Sequence, residues 1–226
     1  MSRTSKLSAL FLVLFLLFAG YQSSDTAEIP DIVYFIYAAN GNFGTGVMTK
    51  DGYVLTVSHI DHEKELYVSK EVTLATRADK KAVIVKQDKE KDLMLLQISS
   101  GKGTVELADP KLDEEVVVIG YPLGTRMVSH GRIMAIKSDI LFLDTHCLAG
   151  ASGSPVFNKN GKLVGLLQVE ITDGNGMING ARSSKAIRKF LEKINENEDK
   201  KKKKKTRIKT TPLARVFAFY FLSWYY

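Results

Sequence analysis

The sequence predicts an all-β fold in which two antiparallel β-barrels are followed by a C-terminal helix. Short runs rich in β-branched and aromatic residues recur along the body of the chain, and turn or charged residues separate them. A second series of such strand-like runs begins after Ala108-Asp109-Pro110, and an amphipathic segment ends the domain. We therefore expect a domain over residues 29–195, with barrels at about 29–107 and 111–182 and a helix at 184–194.

The first half of the chain supplies the strands of the first barrel. Ile32–Tyr37 is predicted as a buried strand, and a hairpin follows that turns at Lys50-Asp51-Gly52 and ends in His59. Asp92 stands at the start of an apolar strand that ends at Ile98. Between the hairpin and that strand, further strands are predicted at residues 65–68, 72–76 and 82–85.

The second half begins with strands predicted at residues 116–120, 127–136 and 140–144, and the second of these should kink at Gly131. A hairpin between Val156 and Leu163 turns at Asn160-Gly161, and a last strand is predicted at 176–181. Ser183 or Ser184 can cap the closing helix. The apolar stripe of that helix consists of Ala186, Ile187, Phe190, Leu191 and Ile194.

Composition limits the classes of function. The 226 residues are 45% hydrophobic and 25% charged, as in a globular protein, and the single cysteine, Cys147, excludes an internal disulfide. Nine Lys and Arg residues lie within 200–226 and two within 1–6. Without them the net charge of +7 becomes −4, so we expect no nucleic-acid-binding face. We also expect no cofactor and no metal, because a site from His59, Asp61 and His62 would lack catalytic-zinc spacing.

Residues 1–28 have the layout of a targeting segment. Arg3 and Lys6 precede the apolar run Ala9–Ala19, and polar residues follow it. The run is shorter than the roughly 20 residues of a typical spanning helix, yet Phe18 makes a poor cleavage site. A cleaved signal, an uncleaved membrane anchor and a buried apolar helix remain as alternatives. The first two predict an exported protein, periplasmic or extracellular.

Residues 196–226 form a tail of different composition. Lys200–Lys205 is pure lysine, and Phe217–Tyr226 is almost wholly aromatic and apolar. Lysines beside aromatic rings are suited to an anionic membrane surface, so Lys200–Tyr226 is one candidate for membrane contact. The other interpretation is a disordered extension without a function.

Three segments of the chain contain residues suited to nucleophilic catalysis. Gly150–Pro155 places Ser152 between glycines in a tight turn, where the N–H groups of Gly150 and Ser152 can face one oxyanion. His59 and Asp92 precede it in the order His, Asp, Ser.

These segments resemble the chymotrypsin-like serine proteases, and most closely their disulfide-free bacterial branch of Deg (HtrA-like) proteases and glutamyl endopeptidases. The resemblance extends from Asp31 to Ile194 and includes Ile119–Gly124 and Asp144, which lies eight residues before Ser152. It implies two six-stranded barrels with the terminal helix packed on the second one. We expect no PDZ-like module in the space after Ile194, which would be a departure from the usual Deg layout.

The resemblance implies a role for each residue of the site. Ser152 would attack the scissile carbonyl, His59 would accept its proton, and Asp92 would orient the imidazole. The N–H groups of Gly150 and Ser152 would form the oxyanion hole. Ala151 lacks a side chain that could brace this loop, so we expect an oxyanion hole that is collapsed until substrate binds.

The substrate pocket is expected between the segment before the serine and the strand after the Asn160-Gly161 turn. Its candidate residues are His146, Leu148, Leu167 and Gln168. His146 replaces the acid of trypsin-like enzymes, and Leu167 replaces the histidine of glutamate-selective relatives. We therefore predict neither the Lys or Arg preference of trypsin-like enzymes nor a preference for glutamate.

The function predicted from the sequence is a serine endopeptidase that acts on exported or misfolded proteins. Two alternatives remain: a processing enzyme with one dedicated partner, and a peptide-binding or scaffolding module at a membrane that uses the protease fold with little activity.

Overall fold

The computed structural model describes residues 31–60, 65–70, 80–172 and 177–192. Within them the chain forms two closed antiparallel barrels of six strands each and one helix, which confirms the predicted fold class.

Each strand of the first barrel contributes at least one buried apolar residue to one core cluster. Its neighbours run in the order β1-β2-β3-β6-β5-β4, so β6 returns to lie beside β3. The strands are β1 (Val33–Ala38), β2 (Phe43–Lys50), β3 (Tyr53–Thr56), β4 (Leu66–Ser69), β5 (Lys80–Asp88) and β6 (Leu93–Gln97). The turn between β2 and β3 has a positive φ of 77° at Gly52, a conformation that glycine adopts without strain.

The second barrel repeats this connectivity, in the order β10-β11-β12-β9-β8-β7. Its strands are β7 (Glu115–Gly120), β8 (Met127–Lys137), β9 (Ile140–Leu143), β10 (Pro155–Asn158), β11 (Leu163–Thr172) and β12 (Met177–Ser183). The predicted kink at Gly131 is wrong, because Gly131 pairs with Val116 in regular register and the irregularity of β8 lies between Ile133 and Ala135. Gly131 instead permits close packing, since a Cβ there would lie 2.4 Å from Asp144 Oδ1.

The helix, α1, covers residues 184–192 of the described chain. Ile187 and Phe190 join the core cluster centred on the first barrel, and the Lys86 ammonium of β5 lies 4.5 Å from the centre of the Phe190 ring. The helix therefore contacts the first barrel, which the sequence did not predict, and the core cluster that it joins also includes Phe157, Leu163 and Leu166 of the second barrel. Neither predicted cap forms a capping bond, because the Ser184 hydroxyl donates to the Ala108 carbonyl and the Ser183 hydroxyl has no partner among the described residues.

Several predicted segments lie outside the described residues: the N-terminal segment, the strand at 72–76, Ile194 and the tail. The domain boundaries drawn through them stay a prediction. In the described part of the chain, no helix is both long and apolar enough to cross a membrane.

Candidate active site

His59 and Asp92 meet because their strands are neighbours. His59 lies in a 3-10 turn, Ser58–Ile60, directly after β3, and Asp92 directly precedes β6. The two strands pair with Thr56 opposite Met94, so the two residues reach the same edge of the barrel. The Asp92 carboxylate accepts hydrogen bonds from the backbone N–H of His59 at 2.9 Å and from its ring Nδ1 at 2.8 Å. The other ring nitrogen, Nε2, is thus left to face a substrate or a nucleophile.

Asp92 is held in an unusual backbone conformation by the second barrel. Its φ of 52° lies in the left-handed region, which is costly for a residue other than glycine. The Gln168 side-chain amide donates to the carbonyls of Lys91 and Asp92 at 2.6 and 2.8 Å, and Arg182 Nε donates to the Lys91 carbonyl at 3.0 Å. These bonds cross from one barrel to the other and fix the backbone that carries the carboxylate.

Ser152 lies in the loop before β10. Two backbone hydrogen bonds, each between residues three apart, form two consecutive turns in this loop. Ala151 N–H donates to the Leu148 carbonyl and Ser154 N–H to the Ala151 carbonyl, both at 2.9 Å. Gly150 adopts a φ of 92°, and its Cα faces the Phe43 ring so closely that a Cβ would lie 2.3 Å from it. The loop therefore requires glycine at position 150.

Thr45 of β2 anchors this loop to the first barrel. Its N–H donates to the Ser152 carbonyl at 2.8 Å, and its fully buried hydroxyl donates to the Gly150 carbonyl at 3.2 Å. The same hydroxyl accepts the Tyr121 N–H at 2.9 Å. Thr45 thus joins the serine loop to the end of β7 by three hydrogen bonds.

The loop with the two predicted oxyanion donors has a defined backbone contact, while its expected collapse in the absence of substrate stays a prediction. The Leu123 N–H donates to the Ala149 carbonyl at 3.0 Å and fixes the direction of that carbonyl. Because the peptide between Ala149 and Gly150 is planar and trans, the Gly150 N–H points the opposite way. Among the described residues neither the Gly150 N–H nor the Ser152 N–H has an acceptor. Both predicted oxyanion donors therefore remain available.

The Ser152 hydroxyl is close to the strand that carries Gln168. Among the hydrogen bonds of the described residues it makes one, a long 3.5 Å bond to the Gln168 carbonyl, and none to the His59 ring. Such contacts are often long in unliganded active sites and tighten when substrate binds.

Two pockets flank the serine loop at this site. Leu148, Leu167 and Gln168 line one of about 80 Å³ together with Ser152. His59 and Gly150 line the other, which measures about 350 Å³. Three of the four predicted pocket residues thus lie beside Ser152.

His146, the fourth, lines a separate cavity of about 370 Å³ that Ser152 does not line. The segment before the serine alternates like a strand, with Thr145 and Cys147 buried and His146 exposed.

The turn that leads to Asp92 contains a perturbed carboxyl group. The backbone N–H of Lys91 donates to Asp88, and this bond, more than the nearby Lys91 ammonium, lowers the pKa of Asp88 below its ordinary value. Elsewhere in the described residues, no cluster of three His, Cys, Asp or Glu side chains has an arrangement that could hold a metal ion.

Sequence reasoning did not assign a role to Thr45, Leu123 or Arg182. A signal for Thr45 was present, because it stands between Gly44 and Gly46, and a Cβ on Gly44 would lie 2.8 Å from the Ser152 carbonyl. The paired glycines mark a close approach of another backbone. Leu123 acts through its N–H, so no side-chain pattern could have indicated it.

Comparisons with known proteins agree with this fold and identify the family. The profile of the trypsin-like peptidase domain matches residues 44–166. The chain is 32% identical over 152 residues to a probable periplasmic DegP-like serine endoprotease of Pseudomonas putida strain W619, and 30% identical over 151 residues to one of Pseudomonas fulva strain 12-X. Each match covers 61% of this chain and 31% of the relative, so the chain spans about a third of the length of these relatives.

Solved structures resemble the chain in fold. The serine endoprotease of Yersinia pestis superposes with a TM-score of 0.66 at 24% identity and covers 76% of this chain and 66% of its own. An inactive form of the Rv3671c protease of M. tuberculosis H37Rv gives a TM-score of 0.61 at 20% identity, with 74% and 90% covered. At these identities the likeness concerns the fold alone.

Proposed function

The chain belongs to the trypsin-like peptidase family, as its motifs predicted, and from this premise we propose that it is a serine endopeptidase whose catalytic residues are His59, Asp92 and Ser152. The observation that carries the proposal is the pair of bonds by which Asp92 holds His59, at 2.8 Å to Nδ1 and 2.9 Å to the backbone N–H. They leave Nε2 as the ring atom that can accept a proton.

In the proposed mechanism Ser152 loses its proton to His59 Nε2 as its oxygen attacks the scissile carbonyl. The N–H groups of Gly150 and Ser152 bind the resulting oxyanion, and one such donor contributes about 3 kcal/mol to catalysis. His59 then gives the proton to the leaving amine, and an acyl-enzyme remains. Water, deprotonated by the same ring nitrogen, releases the acid and restores Ser152.

The small pocket beside Ser152 supports a preference for small apolar residues on the acyl side of the cleaved bond. Its volume is about 80 Å³, Leu148 and Leu167 line it, and no charged side chain of the described residues does. Gln168 Nε2 already donates to the carbonyls of Lys91 and Asp92, so it is not available as a donor to a substrate side chain.

We propose exported or misfolded proteins as the substrates and an exported location for the enzyme. The relatives named as periplasmic endoproteases and the apolar run Ala9–Ala19 support this proposal.

The test is labelling by a fluorophosphonate probe together with hydrolysis of a soluble peptide. Ser152→Ala should lose both and keep the melting temperature of the wild type, because a half-buried hydroxyl with one long hydrogen bond contributes little to stability. Ser99→Ala, at an exposed position, is the matched control and should keep both. Equal labelling of wild type and Ser152→Ala would refute the assignment.

The alternative is a peptide-binding module with little activity, in which the Ser152 hydroxyl would keep its long contact with the Gln168 carbonyl even when a peptide is bound. It predicts that the wild type binds peptides without labelling or turnover. The same two assays therefore separate the two functions.

A further inference from the structure

The second barrel contains an apolar pocket that the proposed mechanism does not use. It lies between β7, β8 and the segment before the serine, and measures about 370 Å³. We call it the rear pocket and define it by Val118, Met127, Val128, Leu148, Ala151 and Ser154. Ser152 does not line it. Its volume is within the range of pockets that bind small molecules.

The walls of the rear pocket are suited to an apolar group. Met127, Val128 and Leu148 line it, and they stay 45%, 49% and 48% exposed, respectively. Half-exposed apolar side chains gathered around one concavity lose water contact when a ligand enters, and this burial favours binding.

One buried polar group in the wall lacks a partner. Ser154 is fully buried, and its hydroxyl has no hydrogen-bond partner among the described residues. The hydroxyl lies against the backbone of Gly120, where a Cβ would come within 2.0 Å of it. An unsatisfied buried hydroxyl is unfavourable. A ligand oxygen that accepted its proton would remove that cost.

No acidic side chain among the described lining residues opposes an anionic oxygen. Among the described residues that line the rear pocket, His146 is the one titratable side chain besides the Cys147 thiol, and no Asp or Glu lines it. A carboxylate would thus meet hydrogen-bond donors and no opposing charge.

The rear pocket also shares a wall with the small pocket beside Ser152. Cys147, Leu148 and Ala151 line both. A group that fills the rear pocket would therefore press on the segment that shapes the substrate pocket and on the turn that carries Gly150.

We propose that the rear pocket binds a small apolar carboxylic acid and that its occupancy changes the rate of peptide hydrolysis. The binding of the acid does not depend on the proposed function, whereas the effect on hydrolysis rests on it.

Octanoate is the probe for the full-length protein, with acetate as the control that has a carboxylate but little apolar surface. Octanoate at ten times its Kd should raise Tm by about 3–6 °C, and acetate at the same concentration should not. No octanoate binding up to 10 mM would overturn the proposal.

Variants locate the probe. Val128→Trp should block the rear pocket and abolish the shift, and Met127→Trp is a second blocking variant at another half-exposed position. Val83→Trp, at a 63% exposed position of β5, adds the same bulk to the first barrel and should bind as the wild type does. Ser154→Ala should weaken binding about tenfold. Equal affinities for Val128→Trp, Met127→Trp and Val83→Trp would place octanoate elsewhere and refute the proposal.

The Ser152→Ala variant separates this proposal from the proposed function. It should bind octanoate with unchanged affinity, whether or not the wild type hydrolyses peptides. Loss of binding in Ser152→Ala, or after fluorophosphonate labelling of the wild type, would mean that octanoate occupies the active site. If the enzyme is active, saturating octanoate should change kcat/KM at least threefold in the wild type and in Val83→Trp, and it should leave kcat/KM unchanged in Val128→Trp. A kcat/KM that octanoate changes in none of the three proteins would refute the proposed effect of the rear pocket on hydrolysis.

Discussion

Thr45 offers the sharpest test of how the serine loop is held. Its hydroxyl is fully buried and makes two bonds, one donated to the Gly150 carbonyl and one accepted from the Tyr121 N–H. Thr45→Val keeps the shape of the side chain and removes both bonds, whereas Thr45→Ser keeps the hydroxyl and removes one methyl group. The pair of variants therefore separates hydrogen bonding from packing.

The expected loss of stability follows from the burial of the two groups left behind. Tyr121 is 3% exposed, so removing the buried bond that its N–H donates to Thr45 should cost about 1–3 kcal/mol. Gly150 is half-buried and its carbonyl can bind water, so the bond lost there is worth about 0.5–1.5 kcal/mol. Together these losses mean that Thr45→Val should lower the free energy of unfolding by about 1.5–4.5 kcal/mol.

The catalytic effect should exceed what stability alone explains. Removing an oxyanion donor outright lowers kcat by about 10²–10³, so loosening the loop that carries the Gly150 N–H should cost at least tenfold. Urea unfolding followed by circular dichroism gives the stability, and peptide hydrolysis normalised to probe-labelled enzyme gives kcat. Thr45→Ser should stay within threefold of the wild-type kcat. If Thr45→Val and Thr45→Ser lose equal stability and equal kcat, the hydroxyl does not hold the loop.

Three further predictions concern other parts of the chain. Gln168→Met removes the two hydrogen bonds that the side-chain amide donates to the carbonyls of Lys91 and Asp92. The free energy of unfolding should fall by about 1–3 kcal/mol, and kcat/KM should fall at least tenfold. An unchanged kcat/KM would contradict the role of Gln168 in positioning Asp92. The lowered folded pKa of Asp88 stabilises the fold fully above about pH 4, the ordinary carboxyl value, and this contribution disappears as pH falls through the folded value. Asp88→Asn should accordingly be less stable than the wild type at pH 7, with a gap that closes in acid; a gap independent of pH would count against it. Deleting residues 200–226 should reduce binding to anionic vesicles without altering peptide hydrolysis, and in the full chain Trp224 emission should shift to the blue on such vesicles; equal vesicle binding by both proteins would favour the disordered-extension interpretation.

The sequence by itself determined the elements that depend on local pattern. Period-two alternation and Gly or Asn turns marked the strands, and the turns at Lys50-Asp51-Gly52 and Asn160-Gly161 fall where predicted. The segments that carry His59, Asp92 and Ser152 could be recognised because each places its residue in a short, distinctive context. These features need only neighbouring residues, so they are readable without the fold.

Only the tertiary structure decided which groups hold the site together. Gln168 was predicted to line the substrate pocket. It lines the small pocket beside Ser152, but its amide nitrogen donates to the Asp92 carbonyl in the other barrel. His146 lines the rear pocket, and Phe190 contacts Lys86 in β5 of the first barrel. Thr45 gained its role because two barrels meet at its hydroxyl. Each outcome depends on strand register and on contacts between residues that are far apart in sequence. Local periodicity predicts which face of a strand a side chain occupies, but it does not predict which distant residue that side chain will contact.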